Sequence, residues 1–255
     1  MIATLPTALT VGFAGLIALL IAGSVAAFVL PRLSPGKWDD LGPRMTSWWV
    51  ICLLVGGSLL LGWQVFTVLF TLISFIALKE YLTLAPTRRD DRLVVLFAYV
   101  ALLVSYSAIW IDNYAYFLVT IPVYIFLATA VLLTLSGRTD GFLATAGIMQ
   151  WGMVVCVFNL GHVAFLMRVP EAEVPQAGPA GLVFFLIFIT QLNDVTQYIW
   201  GKLLGRHKIS PHISPNKTWE GAIGGFATTG IAFVILAPYF TPLTFWPSVW
   251  IGATL

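Results

Sequence analysis

Apolar runs, most of them about 20 residues long, separated by short spacers that hold nearly all the charge, are what most constrains this chain. Inside a bilayer no water is present to satisfy free backbone N–H and C=O groups. Only helices, which pair them internally, and closed barrels can span it. The runs are too long for barrel strands and lack period-2 alternation, so they predict helices and no strands. Charged residues make up only 9% of the 255, and hydrophobic ones 59%. Soluble domains carry about a quarter charged residues. A water-soluble globular protein, a disordered chain and a nucleic-acid binder built on basic patches are excluded.

The expected fold is all-α, a polytopic membrane protein with eight full transmembrane helices and the start of a ninth. The spans are placed at 7–30, 46–62, 63–84, 93–111, 114–135, 141–167, 179–201 and 221–239, with a short final segment at 245–255. Gly56, Gly57, Gly62 and Trp63 suggest a tight turn between the second and third. The whole is read as a single membrane domain: N-terminal helices over 1–190, a substrate-site helix, basic loop and following helix over 191–240, and a truncated apolar segment at 245–255. No internal repeat is visible, which weighs against an inverted-repeat transporter.

Charge gives the orientation. With the N-terminus outside, the cytosolic spacers hold Arg32, Lys37 and Arg44; Lys79, Arg88, Arg89 and Arg92; Arg138; and Lys202, Arg206, Lys208 and Lys217. Only Arg168 of the 13 basic residues falls outside. A wrong helix count would have mixed the two sets. The outer spacers carry Asp112, Glu171 and Glu173. No basic residue precedes the first run, so it reads as a retained helix and not a signal peptide. Cys52 and Cys156 both sit in apolar segments without metal-ligand neighbours, which argues against a disulfide framework or a zinc site.

The chemistry concentrates between Gln191 and Gly225, in QLNDVTQYIWGKLLGRHKISPHISPNKTWEGAIGG. At 3.6 residues per turn, Thr190, Gln191, Asn193, Asp194, Gln197 and Tyr198 share one arc of the helix, with Thr196 on the other. A polar stripe carrying a carboxylate does not face lipid; it lines a polar cavity or a helix–helix hydrogen-bond seam. The loop that follows supplies Lys202, Arg206, His207, Lys208, His212 and Lys217 before its first acid, Glu220. Ser214 or Asn216 can cap the helix starting near Thr218. Free N–H groups at that helix start, with Lys217 beside them, suit a phosphate. Topology alone explains scattered cations, but not the compact SPNKTWEG string.

That segment resembles the phosphatidate cytidylyltransferases, or CDP-diacylglycerol synthases. The matching positions are Asp194 and Tyr198; Gly201, Gly205, Arg206 and Lys208; then Ser214, Pro215, Lys217, Thr218, Glu220, Gly221, Gly224 and Gly225. Asn193-Asp194-Val195-Thr196-Gln197-Tyr198 departs from the commoner pattern, as in a divergent subgroup. The family's downstream signature, which ends in Asp-Arg-x-Asp, has no counterpart in residues 1–255. Further metal ligands are therefore expected beyond residue 255, and residues 1–255 alone are expected to insert in membranes without catalysing transfer.

The resemblance implies that CTP and phosphatidic acid react to give CDP-diacylglycerol and pyrophosphate, with Mg²⁺ or a similar divalent metal. Catalytic roles fall to Asp194, Lys217 and Glu220. Asp194 binds metal directly or through water, and Glu220 orients Lys217 or accepts from the nucleotide. Arg206 and Lys208 join Lys217 on phosphates. Ser214 and Thr218 donate hydrogen bonds. Asn193, Gln197, Tyr198 and Lys202 complete the substrate-binding set. The implied partners are CTP, phosphatidic acid and the bilayer, with a homodimer as a candidate assembly and no nucleic acid. The implied location is a multi-pass protein of the cytoplasmic membrane, if bacterial, with a cytosolic site. Two rivals stand beside this reading. A transporter or channel predicts polar residues at mid-membrane depth in several helices, and a non-catalytic scaffold keeps the fold without the metal site. His162 reads as a packing histidine, and Asp39-Asp40 as solvated charge, though Lys37 and Arg44 could touch lipid phosphates.

Overall fold

The computed structural model describes residues 6–85, 92–135 and 141–254. Arg88, Arg89, Arg138, Asp90 and Asp91 lie outside them. Eight of the described helices are long and apolar enough to cross a membrane. They are α1 Thr7–Leu33, α2 Leu41–Leu61, α3 Trp63–Leu84, α4 Arg92–Trp110, α5 Tyr114–Leu135, α6 Phe142–Arg168, α7 Gly178–Leu204 and α8 Trp219–Phe240. A shorter helix, α9, runs over Phe245–Thr254. The expected polytopic all-α membrane fold is what the chain adopts. Its third span matches the sequence reading to the residue. Of the three glycines offered for the α2–α3 turn, only Gly62 breaks the helix, at a φ of +107° that side chains rarely reach.

The basic loop between α7 and α8 overturns the expectation of no strands. It carries a two-stranded antiparallel hairpin, β1 Lys208–Ser210 and β2 Ser214–Thr218, with Lys208 opposite Thr218 and Ser210 opposite Ser214. Ile213 N donates to Ser210 O across the tip, and Trp219 N donates to His207 O at the base. Hydropathy reports spans and is silent about short extended pairs in a polar loop.

The chain forms two compact units, residues 1–56 with 170–255, and residues 57–169. In the second, Tyr106 is buried and shares a 2.6 Å hydrogen bond with Ser74 while donating to Phe70 O. Tyr81 donates to Ile148 O, and its ring lies where a Cβ on Gly152 would be. His162 packs edge-on to Phe117 and Phe158, with Nδ1 2.8 Å from Phe158 O. Helix α5 widens to a π turn over Thr120–Ile125, around Pro122, which has no N–H to give. Arg168 grips Asp112 with two nitrogens, at 3.0 and 3.2 Å, and stacks over Trp63.

The first unit is built on α1, α7 and α8. Gly12 lets α1 approach, since a Cβ there would fall 2.8 Å from the Phe184 ring and 3.0 Å from that of Phe240. Phe240 stacks on Phe184 and Phe185 beneath it, and Phe233 lies tilted against Phe185. Trp49 of α2 donates to Ser24 of α1 at 3.1 Å. This aromatic core anchors one end of α7 and α8. Their opposite ends carry the polar residues.

Candidate functional site

Glycine sets how closely α7 and α8 approach. A Cβ on Gly221 would fall 2.8 Å from Gln197 O, and one on Gly224 would run into the Trp200 indole. One on Gly225 would overlap Gln197. Small residues let helix backbones meet in a membrane, where no hydrophobic force drives them together. The glycines of the motif are thus a packing seam. Hydroxyls line it: Thr196 Oγ1 lies 3.4 Å from Thr229 Oγ1, Thr229 donates to Asn193, and Trp200 donates to Thr228 at 2.9 Å. Thr196, read from the sequence as lying away from the polar stripe, is buried in this seam.

At the end of the seam Thr218 caps α8. Its buried Oγ1 accepts from Gly221 N at 3.2 Å. The cap is this threonine and not Ser214 or Asn216. Those two lie in β2, where Ser214 is the partner of Ser210 and Asn216 is exposed. The strand runs straight into the helix, so the residue at the junction takes the extended cap conformation. Glu220, in the first turn, turns back to the loop. It accepts from Arg206 N at 3.1 Å, from His207 N at 3.2 Å and from His207 Nδ1 at 2.6 Å. Its carboxylate therefore fixes the start of the hairpin. Arg206, Lys208 and Lys217 are left exposed, with no acid against them among the described residues.

A second cluster joins the α1–α2 loop to the end of α7. The Tyr198 hydroxyl donates to Asp40 Oδ1 at 2.8 Å, and Lys202 Nζ reaches the same oxygen at 3.2 Å. Lys202 also donates to Lys37 O at 2.7 Å, and Arg44 Nε meets Asp40 Oδ2 at 3.1 Å. Burial pushes the Asp40 carboxyl up, but the bonds from Tyr198, Lys202 and Arg44 outweigh it and hold the carboxyl below its ordinary range. Sequence reasoning assigned Asp40 to solvent. Its partners on α7 lie about 160 residues away in the chain, and no local signal could have joined them.

Successive helical residues are offset by about 100°. Asp194 thus lies between the arc of Gln197, which faces α8, and that of Tyr198, which faces the α1–α2 loop. Its side chain is exposed, and none of the described residues bonds to it. Among the described residues no three His, Cys, Asp or Glu side chains gather as a metal cage. Asp194 alone supplies one of the one or two carboxylates that a cation of the Mg²⁺ type takes before waters and phosphate oxygens complete its shell.

The profile of the Cytidylyltransferase family matches residues 43–255. The uncharacterized protein YnbB of Escherichia coli (strain K12) is 39% identical over 229 residues, a match spanning 88% of this chain and 73% of that protein. The phosphatidate cytidylyltransferase of Mycobacterium leprae (strain TN) is 38% identical over 81 residues, 32% of this chain and 24% of its own length. Human phosphatidate cytidylyltransferase 1 is 38% identical over 86 residues, 32% of this chain and 18% of its own length. The chain thus spans under a quarter of each phosphatidate cytidylyltransferase named here. No solved structure gives a significant match. Over most of its length, the glycine seam and the basic hairpin included, this chain belongs to the cytidylyltransferase family.

Proposed function

We propose that this chain transfers a cytidylyl group from CTP to phosphatidic acid, giving CDP-diacylglycerol and pyrophosphate. The observation that carries the reading is a cation set at the start of α8 that meets no acid among the described residues: Arg206, Lys208 and Lys217 stand around a capped helix N-terminus. In the proposed reaction an oxygen of the lipid phosphate attacks the α-phosphorus of CTP. The new P–O bond forms as the bond to the β-phosphate oxygen breaks, and pyrophosphate carries away the electron pair. Both reactants are polyanions, so the barrier is mainly electrostatic, and fixed cations lower it. Lys217 is assigned to the departing phosphates, with Arg206 and Lys208 beside it. Glu220 acts through the loop backbone it holds, and Thr218 by fixing the helix start. A divalent metal such as Mg²⁺ would neutralise further phosphate charge, and Asp194 is the residue proposed to hold it. The site is proposed to face the cytosol, where CTP is present.

The test is the purified full-length protein, reconstituted in lipid with CTP, phosphatidic acid and Mg²⁺. Formation of CDP-diacylglycerol and pyrophosphate in equal amounts is expected. A membrane-inserted, monodisperse protein that forms neither would overturn the reaction. Activity toward a different phosphorylated acceptor would keep the cytidylyl transfer and replace the lipid.

A further inference from the structure

The Asp40 cluster sits where three apolar spans end together: the last turn of α1, the first turn of α2 and the last turn of α7. It is a bilayer-edge feature, whereas the hairpin stands beyond the end of α7. Its charges are unbalanced. Lys202 and Arg44 both pair with the one Asp40 carboxylate. Lys37 Nζ lies 5.7 Å from the Trp38 ring and meets no acid among the described residues. The nearby Asp39 accepts from Gly36 N at 3.2 Å, so three cations stand near two carboxylates.

The cations are also held with donors to spare. Arg44 gives Asp40 its Nε and keeps its terminal nitrogens, with the guanidinium 4.6 Å from the Tyr198 ring centroid. Lys202 lies 5.5 Å from the same ring and spends two of its three hydrogens on Asp40 and Lys37 O. Side-chain exposures of 49% for Arg44 and 32% for Lys202 leave both within reach of a ligand. Beneath them Trp38 is buried against Tyr198. Fixed, partly desolvated guanidinium and ammonium groups over an aromatic floor suit a phosphate with an apolar tail.

We propose that Lys37, Arg44 and Lys202, organised by Asp40, form a binding site for the phosphate monoester headgroup of a lipid, separate from the nucleotide phosphates on the hairpin. The assignment rests on the cytidylyl-transfer reading for its place in a reaction, but its binding chemistry stands without it. Asp40 is a positioning residue here. It is the shared anion that keeps two cations from repelling each other before the ligand arrives.

The experiment measures binding, not turnover. Full-length protein in detergent is titrated with short-chain phosphatidic acid, with phosphatidylcholine of equal chain length, and with CTP. Lys37→Gln breaks no described ion pair or side-chain hydrogen bond, only the 5.7 Å approach to the Trp38 ring, and is the variant safest for folding. Arg44→Gln with Lys202→Gln is the stronger one. Each lost charged hydrogen bond should weaken phosphatidic acid binding about tenfold, with CTP and phosphatidylcholine binding unchanged. Lys217→Ala should do the reverse. Unchanged phosphatidic acid binding in both variants, or parallel losses for phosphatidic acid and CTP, would overturn the site. A wild-type protein that binds phosphatidic acid here yet makes no CDP-diacylglycerol would sink the reaction and leave the site standing.

Discussion

Among single residues, the cations divide by partner. Lys202 and Arg44 are tied to Asp40, while Lys217 faces solvent at the junction of β2 and α8. Lys217→Ala is therefore expected to cut turnover about 10²- to 10³-fold, as loss of a transition-state clamp does, without lowering the amount of protein in the membrane. Wild-type turnover in a normally assembled variant would remove Lys217 from the mechanism. Asp40 gives a pH prediction. An acid whose folded pKa is depressed stabilises the fold above its unfolded pKa, and that contribution is lost as pH falls through the folded value. The α1–α2 loop should come away from α7 as pH drops below about 4. Pepsin should then begin to cut near Trp38 and Leu41 in the wild type, and should cut Asp40→Asn already at pH about 5, above the ordinary carboxylate pKa. Equal cleavage of both at every pH would show that Asp40 does not hold the loop.

Helices α7 and α8 meet through glycine, so their contact is sensitive to one added methyl. Gly225→Ala should destabilise the purified protein by about 1–3 kcal/mol, the range for overpacking a tight contact. Gly15→Ala is the control, since open space surrounds the position where its Cβ would go. Equal melting temperatures for the two variants would show that the seam is loose. The sequence already carried much at this scale. The 22 residues of α3 are bounded by Gly62 and Ala85 in both reading and structure. Elsewhere the ends moved where polar first turns stay helical. Helix α2 begins at Leu41, ahead of the apolar run, because Asp40 and Arg44 pair one turn apart. The hairpin and the Thr218 cap were not legible in the same way. Strands of three and five residues leave little periodicity, and Ser214, Asn216 and Thr218 could each have served as the cap. The motif glycines were legible as a motif but not as a seam, since which atoms they face depends on the partner helix.

For the whole molecule the open quantity is sidedness, and two ion pairs bear on it. Asp112 follows the fourth span and Arg168 closes the sixth, and they meet at 3.0 Å. Asp40 precedes the second span and Lys202 closes the seventh, and they meet at 3.2 Å. If the eight spans cross alternately, each pair falls on a single side. A single missed or extra span between partners would have set them on opposite faces of the bilayer. By the positive-inside rule the cytosolic side would be that of Lys202, because nine of the ten described basic residues fall there when the eight spans alternate. We predict that this side is cytosolic. The native Cys52 and Cys156 lie within spans and can be replaced by alanine. A cysteine placed at exposed His212, at the hairpin tip, should then react with a membrane-impermeant maleimide only in inside-out vesicles. One placed at exposed Glu171 should react only in right-side-out vesicles or intact cells. Labelling of His212→Cys from outside would invert the protein and separate Arg206, Lys208 and Lys217 from cytosolic CTP. Labelling of both from the same side would show that α7, the one span between them, does not cross.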